Sequence, residues 1–349
     1  MAINPLPTQR GFILAAVLWT IAIMLIAVGI FHSYVQRKLA VANQSKAHIE
    51  QRLDAISTEQ TVLYLLATSR MTLAGMTFNQ LAKAQVLDEN VSSIAAVGDE
   101  LWFDSTVYQG VGSANFSLQD MSGLVSLNVR DYTFLSALID SYEHDSGIKS
   151  RLLAALSDYI DEDDIISLGG AEKHDYLAKG MAEPANDFLR TVPELKKVMG
   201  WQNWLSLHPE IQLQNWFSLR RFSIMNLNAV PKSLLVPLFG VDGDMAEKVV
   251  KIRRTNPLRS IDEFGLLIGK GIPVDEEYFR YFPSNELSLR IWNKRGGQAQ
   301  LISLQLTPNG LLGPWQVDYE YSVQSVDNNN EALAIRQSAL FNHPLGDDR

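Results

Sequence analysis

The sequence predicts an α+β protein in which a long N-terminal helix packs on a small antiparallel sheet, with a large all-α domain inserted into that sheet. Three observations lead there. A charge-free apolar run from Phe12 to Phe31 passes into a helical pattern that continues beyond residue 60. Runs of strand-type residues occur twice, at 100–118 and again beyond Ser284. Between them, from about Arg130 to Tyr281, the signals are mainly helical and broken by turns. Helix, strands, helical block and strands again imply a block that interrupts one sheet.

The first element is a membrane helix at residues 12–34. The run from Phe12 to Phe31 is made of Ile, Leu, Ala, Val, Trp and Met with few other residues. As a helix rising about 1.5 Å per residue it is long enough for the hydrocarbon core of a bilayer. A cleaved secretory signal has a shorter apolar stretch and a small-x-small cut site. Here Phe31, His32, Ser33, Tyr34, Val35 and Gln36 follow instead, so the segment is expected to stay attached. Charge bias does not fix its orientation, because Arg10 precedes the run while Arg37, Lys38, Lys46 and Arg52 follow it.

The second element is a stem helix, expected over 35–98. Ile49, Leu53, Ile56, Leu63, Leu66 and Met71 recur at roughly helical spacing among polar residues. No proline occurs between Pro7 and Pro184. Ala16, Leu39, Ile49, Leu53 and Ile56 are the candidate interface residues of this rod. Glu100 to Val107 and Val111 to Leu118 then read as a hairpin around Tyr108-Gln109-Gly110. The sheet is expected at 99–128 and 285–343, and the all-α domain at 129–284. The returning strands are Leu287 to Trp292, Gln300 to Leu306 and Val317 to Val326, with turns at Gly296-Gly297 and Pro308-Asn309-Gly310.

Composition narrows the function classes. The formal net charge is -9 and the pI near 5.2. Such a balance disfavours non-specific binding to nucleic acid or to an anionic membrane. With no cysteine, disulfides, thiolate metal sites and cysteine nucleophiles are excluded. His32, His48, His144, His174, His208 and His343 show no metal-ligand spacing, and neither a G-x-S-x-G nor a phosphate-binding loop is present. These facts favour a protein that is not an enzyme.

Three internal features invite chemistry. Asp161, Glu162, Asp163 and Asp164 crowd carboxylates together, with Glu172 and Asp175 just beyond. Hard oxygen ligands in a flexible loop suit calcium, for which Asp161, Asp163, Asp164, Glu172 and Asp175 are the candidate ligands. A solvated, capped helix end is the other reading of the same residues. The segment 226–264 resembles a helix-hairpin-helix element with Lys248, Lys251, Arg253 and Arg254 on it. Asp242, Asp244 and Glu247 beside the hairpin favour packing over phosphate binding. Trp201, Trp204, Trp216, Phe217 and Phe222 form an aromatic-rich patch read as buried core, with an interface as the alternative.

Several of these stretches together carry a resemblance. Arg10-Gly11-Phe12 before the apolar run resembles a type IV prepilin-like leader. Phe116 to Asn128, with its acidic turn and hydrophobic-Asn step, resembles the entry segment of type II secretion system protein K. So do Asp158 to Asp164 followed by Gly169-Gly170-Ala171-Glu172, Pro184-Ala185-Asn186 with Pro193-Glu194-Leu195, and Asn226-Leu227-Asn228-Ala229 through Ile261-Asp262-Glu263-Phe264. The resemblance implies a minor pseudopilin of the general secretion pathway, with the pseudopilin fold interrupted by a large α-domain that binds calcium.

It further implies cleavage by the prepilin peptidase between Gly11 and Phe12, with N-methylation of Phe12. Loss of Arg10 would take the net charge from -9 to -10. Most of the wider family carries Glu where this chain has Ala16, and its absence is the mark of a tip subunit with no neighbour above it. The implied partners are the I and J minor pseudopilins, then the H minor and major G pseudopilins. The implied place is the inner membrane, single-pass, with the C-terminal domain in the periplasm and no nucleic acid bound. A membrane-tethered helix-hairpin-helix DNA-binding protein and a membrane-anchored hydrolase are the alternatives.

Overall fold

The computed structural model describes residues 12–78, 95–293, 298–324, 335, 336 and 341. Its first element, α1 (Phe12–Thr68), is a helix of 57 residues, about 85 Å long at 1.5 Å per residue. Through most of its length it touches nothing: Ile13, Trp19, Leu25, Phe31 and Leu39 are exposed. Among the described residues it is the helix long and apolar enough to cross a membrane.

Only the last turns of α1 are covered. Val62, Leu63 and Leu66 are buried against the sheet. One turn earlier, Thr58 Oγ1 accepts from Val111 N–H at 2.9 Å, and Asp54 Oδ2 accepts from Ser113 N–H at 2.8 Å. The hairpin tip lies so close that a Cβ on Gly110 would stand 2.6 Å from the Thr58 side chain.

The stem ends earlier than the 35–98 expected from the sequence. After Thr68 the chain forms β1 (Arg70–Thr72) and β2 (Gly75–Thr77), which pair antiparallel. The turn between them needs Gly75, whose φ is +148° and whose Cβ would lie 2.1 Å from Leu101 O. Met71, read as part of the helical stripe, is therefore a strand residue. Residues 79–94, the rest of the expected stem, lie outside the described residues, as do the turn at Gly296-Gly297 and the leader through Gly11.

The expected hairpin strand at 100–107 divides at Phe103. β3 (Leu101–Trp102) pairs with β2, whereas β4 (Asp104–Gln109) pairs with β5 (Ala114–Asp120). β10 (Glu286–Asn293), β11 (Gln298–Leu306) and β12 (Trp315–Gln324) complete a five-stranded antiparallel sheet in the order β12-β11-β10-β5-β4. β5 and β10 are neighbours, with Asp120 opposite Leu287. The chain leaves the sheet from one strand and re-enters it on the adjacent one.

Everything between is mainly helical. In order come β6 (Val125–Ser126), α2 (Thr133–Asp140), α3 (Ser146–Ile160), α4 (Lys173–Ala178), α5 (Trp201–Leu207), α6 (Leu213–Trp216) and β7 (Phe217–Ser218). They are followed by β8 (Met225–Asn226), α7 (Lys232–Phe239), α8 (Gly243–Thr255), α9 (Ile261–Ile268) and β9 (Phe279–Arg280). β6 pairs with β7 and β8 with β9, both parallel. The helical block has its own core, including Leu138, Leu156, Trp201, Leu235 and Phe264. The sheet and α1 share a separate core, including Leu66, Phe116, Leu118, Leu289 and Ile302.

Asp120 ties the two together at the point of departure. It is fully buried, and Oδ1 accepts from Ser122 N–H at 2.9 Å, Ser122 Oγ–H at 2.7 Å and Ser284 Oγ–H at 2.6 Å. Oδ2 accepts from Asn226 Nδ2–H at 2.8 Å and Ser284 N–H at 3.0 Å. One carboxylate thus fastens the exit strand, the re-entry strand and the helical block. A buried carboxylate is tolerated when its oxygens are filled with donors in this way. Gly123 follows because a Cβ there would lie 2.4 Å from Ala229 O.

Candidate functional site

The acidic segment forms where α3 ends. Asp161 closes that helix, its N–H donating to Ser157 O at 3.0 Å. Asp158, one turn back, is fully buried, and both its oxygens lie within reach of Ser167 N–H, at 3.3 and 3.1 Å. The returning turn passes so close that a Cβ on Gly170 would stand 1.9 Å from Asp158 Oδ2. Glycine is required there by space.

The five candidate ligands divide into two groups. Asp163 Oδ1 accepts from Ile165 N–H at 2.8 Å, Asp164 Oδ1 from Asn186 Nδ2–H at 3.1 Å, and Asp175 Oδ2 from Glu172 N–H at 3.1 Å. Asp163 and Asp175 are engaged in local turns, and Asp164 in a side-chain bond from a separate segment. Asp161 Oδ1 and both oxygens of Glu172 are buried with no hydrogen-bond partner, and so is Asn186 Oδ1. Glu172 is only 6% exposed. Among the described residues no three His, Cys, Asp or Glu side chains stand as a ready-made metal-binding group.

The electrostatics follow from that crowding. Burial, then Asp158, Asp161, Asp164 and Asp163, push the Glu172 carboxyl up to about 7. Burial, with Asp163 and Asp158 beside it, raises the Asp161 carboxyl as well. Desolvation and like charge both disfavour the ionised form, and among the described residues no guanidinium or ammonium pairs with Glu172. The donor set is all oxygen, which suits a hard divalent cation such as calcium. Asp158 and Asn186 belong to this cluster although their spacing did not mark them as ligands. The signal for Asp158 is its position one turn before the acidic run, and for Asn186 there is none in sequence distance.

The candidate interface residues on α1 all face outward. Leu39, Ile49, Leu53 and Ile56 are exposed, and Ala16 lies on the bare membrane-length portion. Ile49, Leu53 and Ile56 follow i, i+4, i+7 spacing and share one stripe.

The helix pair expected at 226–264 is present as α7 and α8, joined through Gly240 in the left-handed region at φ +59°. Asp242 caps α8 by accepting from Met245 N–H at 2.7 Å. Its basic residues are largely consumed. Arg253 is buried and reaches Asp104 at 3.2 Å and Leu227 O at 2.9 Å. Arg254 meets the same Asp104 at 3.0 Å and lies over the Trp102 ring at 3.9 Å. Lys251 faces Glu247 at 3.5 Å. The pair fastens the helical block to β4. In the aromatic patch Trp201, Trp204, Trp216 and Phe217 are buried, whereas Phe222 is exposed.

Residues 111–207 match the family model described as type II secretion system (T2SS), protein K. This stretch is similar to protein K. It spans β5, the Asp120 junction, the acidic segment and α5. The chain also resembles a chain of the GspK–GspI–GspJ complex from the type 2 secretion system of enterotoxigenic Escherichia coli. The TM-score is 0.55 and the identity 17%, covering 81% of this chain and 99% of that chain. At that identity the likeness establishes the fold alone, a mixed α+β class with small antiparallel sheets. No curated protein sequence matches the chain.

Proposed function

We propose that this chain is a minor pseudopilin of the type II secretion system, anchored in the inner membrane by residues 12–34 with the remainder in the periplasm. It joins the I and J minor pseudopilins in the tip complex of a short filament, ahead of the H minor and major G pseudopilins. Its work is structural: nucleating assembly and supporting protein export. The prepilin peptidase cuts between Gly11 and Phe12, and Phe12 becomes the methylated amino terminus.

One observation carries this reading. A stretch at 111–207 that matches the protein K family sits in a chain whose stem helix carries exposed Leu39, Ile49, Leu53 and Ile56. Such residues lose their contact with water when a sister helix packs alongside, each large aliphatic contributing roughly 1.5–3 kcal/mol when fully covered. In the bilayer, Ala16 allows close approach between helices. The bulk of the helical block, leaving the sheet at Asp120, favours a capping position. Calcium fits the second part of the proposal: Asp161 and Glu172, with Asp158, Asp163, Asp164 and Asn186 around them, would hold it. The ion would supply the positive charge that the cluster lacks.

The deciding experiment is co-expression with the I and J pseudopilins followed by affinity capture. Combined Ile49→Asp, Leu53→Asp and Ile56→Asp substitutions should cut recovery by about tenfold or more, without changing thermal unfolding of the chain. Equal recovery with the charged stem would sink the reading. Mass spectrometry of the amino terminus, with and without the leader peptidase, should give N-methyl-Phe12 only when the enzyme is present.

A further inference from the structure

A cavity lies beside the 169–171 turn, walled by α3, α4 and α5. Its volume is about 460 Å³, within the range that holds small organic ligands. Ile148, Leu152, Met199 and Leu207 give it an apolar wall. Gly169, Gly170 and Gly200 also line it, so part of its wall is bare backbone.

The polar groups on this wall are unevenly satisfied. Trp204 is only 3% exposed, and its indole N–H has no hydrogen-bond partner. The neighbouring Trp201 differs, since its N–H donates to Leu152 O at 2.9 Å. Arg151 makes no ion pair or hydrogen bond among the described residues, and Lys179 Nζ meets only the thioether of Met199 at 3.3 Å. Each of the two acids on the wall accepts one backbone hydrogen bond. Glu143 accepts from Asp145 N–H at 2.9 Å and Asp175 from Glu172 N–H at 3.1 Å. The cavity therefore offers one buried neutral donor without a partner and two cationic side chains above an apolar floor, with Glu143, Asp175 and Asn203 also on its wall. A buried donor without a partner is costly and is relieved by any acceptor that enters.

We infer that this cavity binds an apolar group ending in a carboxylate. The carboxylate takes the indole N–H of Trp204 and the guanidinium of Arg151, with Lys179 as a second charge, and the apolar part lies against Leu152, Met199 and Leu207. A charge-assisted hydrogen bond from guanidinium to carboxylate is the strong kind. The chemistry is shared by the free C-terminus of an apolar-ended peptide and by a short aliphatic acid. The inference goes beyond the assembly role and does not depend on it.

The test uses the full chain in lipid nanodiscs, labelled with 5-fluorotryptophan, with the Trp204 signal assigned by Trp204→Phe. The probes are N-acetyl-leucyl-leucine, its C-terminal amide and hexanoate. The free acid should move the Trp204 signal saturably, and the amide should bind about tenfold more weakly or worse. Arg151→Met should weaken the acid by a similar factor; this side chain is exposed, so the core is left intact. Lys179→Met serves as an independent second variant with a smaller loss. Hexanoate matching the dipeptide assigns the site to small acids, and a clear preference for the dipeptide assigns it to chain ends. The inference is overturned if acid and amide bind alike, if Arg151→Met binds as the parent does, or if no probe moves the signal up to about 10 mM.

Discussion

Asp120 and Glu172 are both buried carboxylates, yet one receives five hydrogen bonds and the other receives none from a side chain or backbone donor. Their substitutions should act in opposite ways. Asp120→Ala strands donors on Ser122, Asn226 and Ser284, and should cost roughly 3 kcal/mol in denaturant unfolding; Asp120→Asn should cost less. Glu172 carries a proton to about pH 7 in the folded chain against 4.5 for the free side chain. Its folded pKa is raised, so the stability it contributes is present below about 4.5 and is lost as pH rises toward 7. Thermal unfolding in chelator should fall across that window, and Glu172→Gln should flatten the profile. Added calcium should restore stability more at pH 7.5 than at pH 5, because the ligand must be deprotonated. Part of this was legible in the sequence. The acidic run 161–164 announces itself, but the two most frustrated oxygens belong to Glu172, which a turn of backbone folds back over Asp158. Asn186 is brought in from a separate segment, and no local pattern encodes that.

At the scale of elements, periodicity served where a strand or helix is long and half-buried. β10, β11 and β12 were readable because alternation persists over eight or more residues. β6·β7 and β8·β9 contain two residues each and have no period to read. The end of α1 was missed for a related reason: Leu66 and Met71 continue a helical stripe in sequence while the backbone has already turned. Gly75 held the signal, and Gly75→Ala should destabilise by about 1–3 kcal/mol through strain against Leu101 O, lowering the melting temperature. α8 is fixed by charge rather than by pattern. Burial alone would raise the Asp104 carboxyl, but the adjacent guanidiniums of Arg253 and Arg254 more than offset it and hold the value below the ordinary 3.8. That contribution is present above 3.8 and lost as pH falls through the lower folded value. Arg253→Met leaves Asp104 with the more exposed Arg254 as its remaining guanidinium partner, and should cost roughly 3–5 kcal/mol by urea unfolding. A loss below 1 kcal/mol would mean that Arg254 alone satisfies the carboxylate.

Over the whole molecule, the helical block and the sheet keep separate cores and are joined by polar fastenings at Asp104, Gln119, Asp120, Glu286, Arg290 and Tyr321. The helical block leaves from Asp120 and returns at Ser284, next to Leu287, which stands opposite Asp120 in the sheet. Those ends are one strand spacing apart, so the sheet does not need the block to close it. Replacing residues 121–285 by a short Gly-Asn-Gly turn should therefore leave α1 and the five-stranded sheet folded. Asp104 would lose both guanidiniums, Asp120 its five donors and Arg290 its partners Gln214 and Asn215, but each would regain water where the block had covered it, so no charge would be stranded. The expected outcome is a chain with retained strand signal and cooperative unfolding at lower temperature. It should still associate through its stem, because Ile49, Leu53 and Ile56 lie far from the junction along α1. Loss of all cooperative unfolding would show instead that the helical block is a structural support of the sheet, and that the Asp104 and Asp120 fastenings hold it up rather than merely attach a second body.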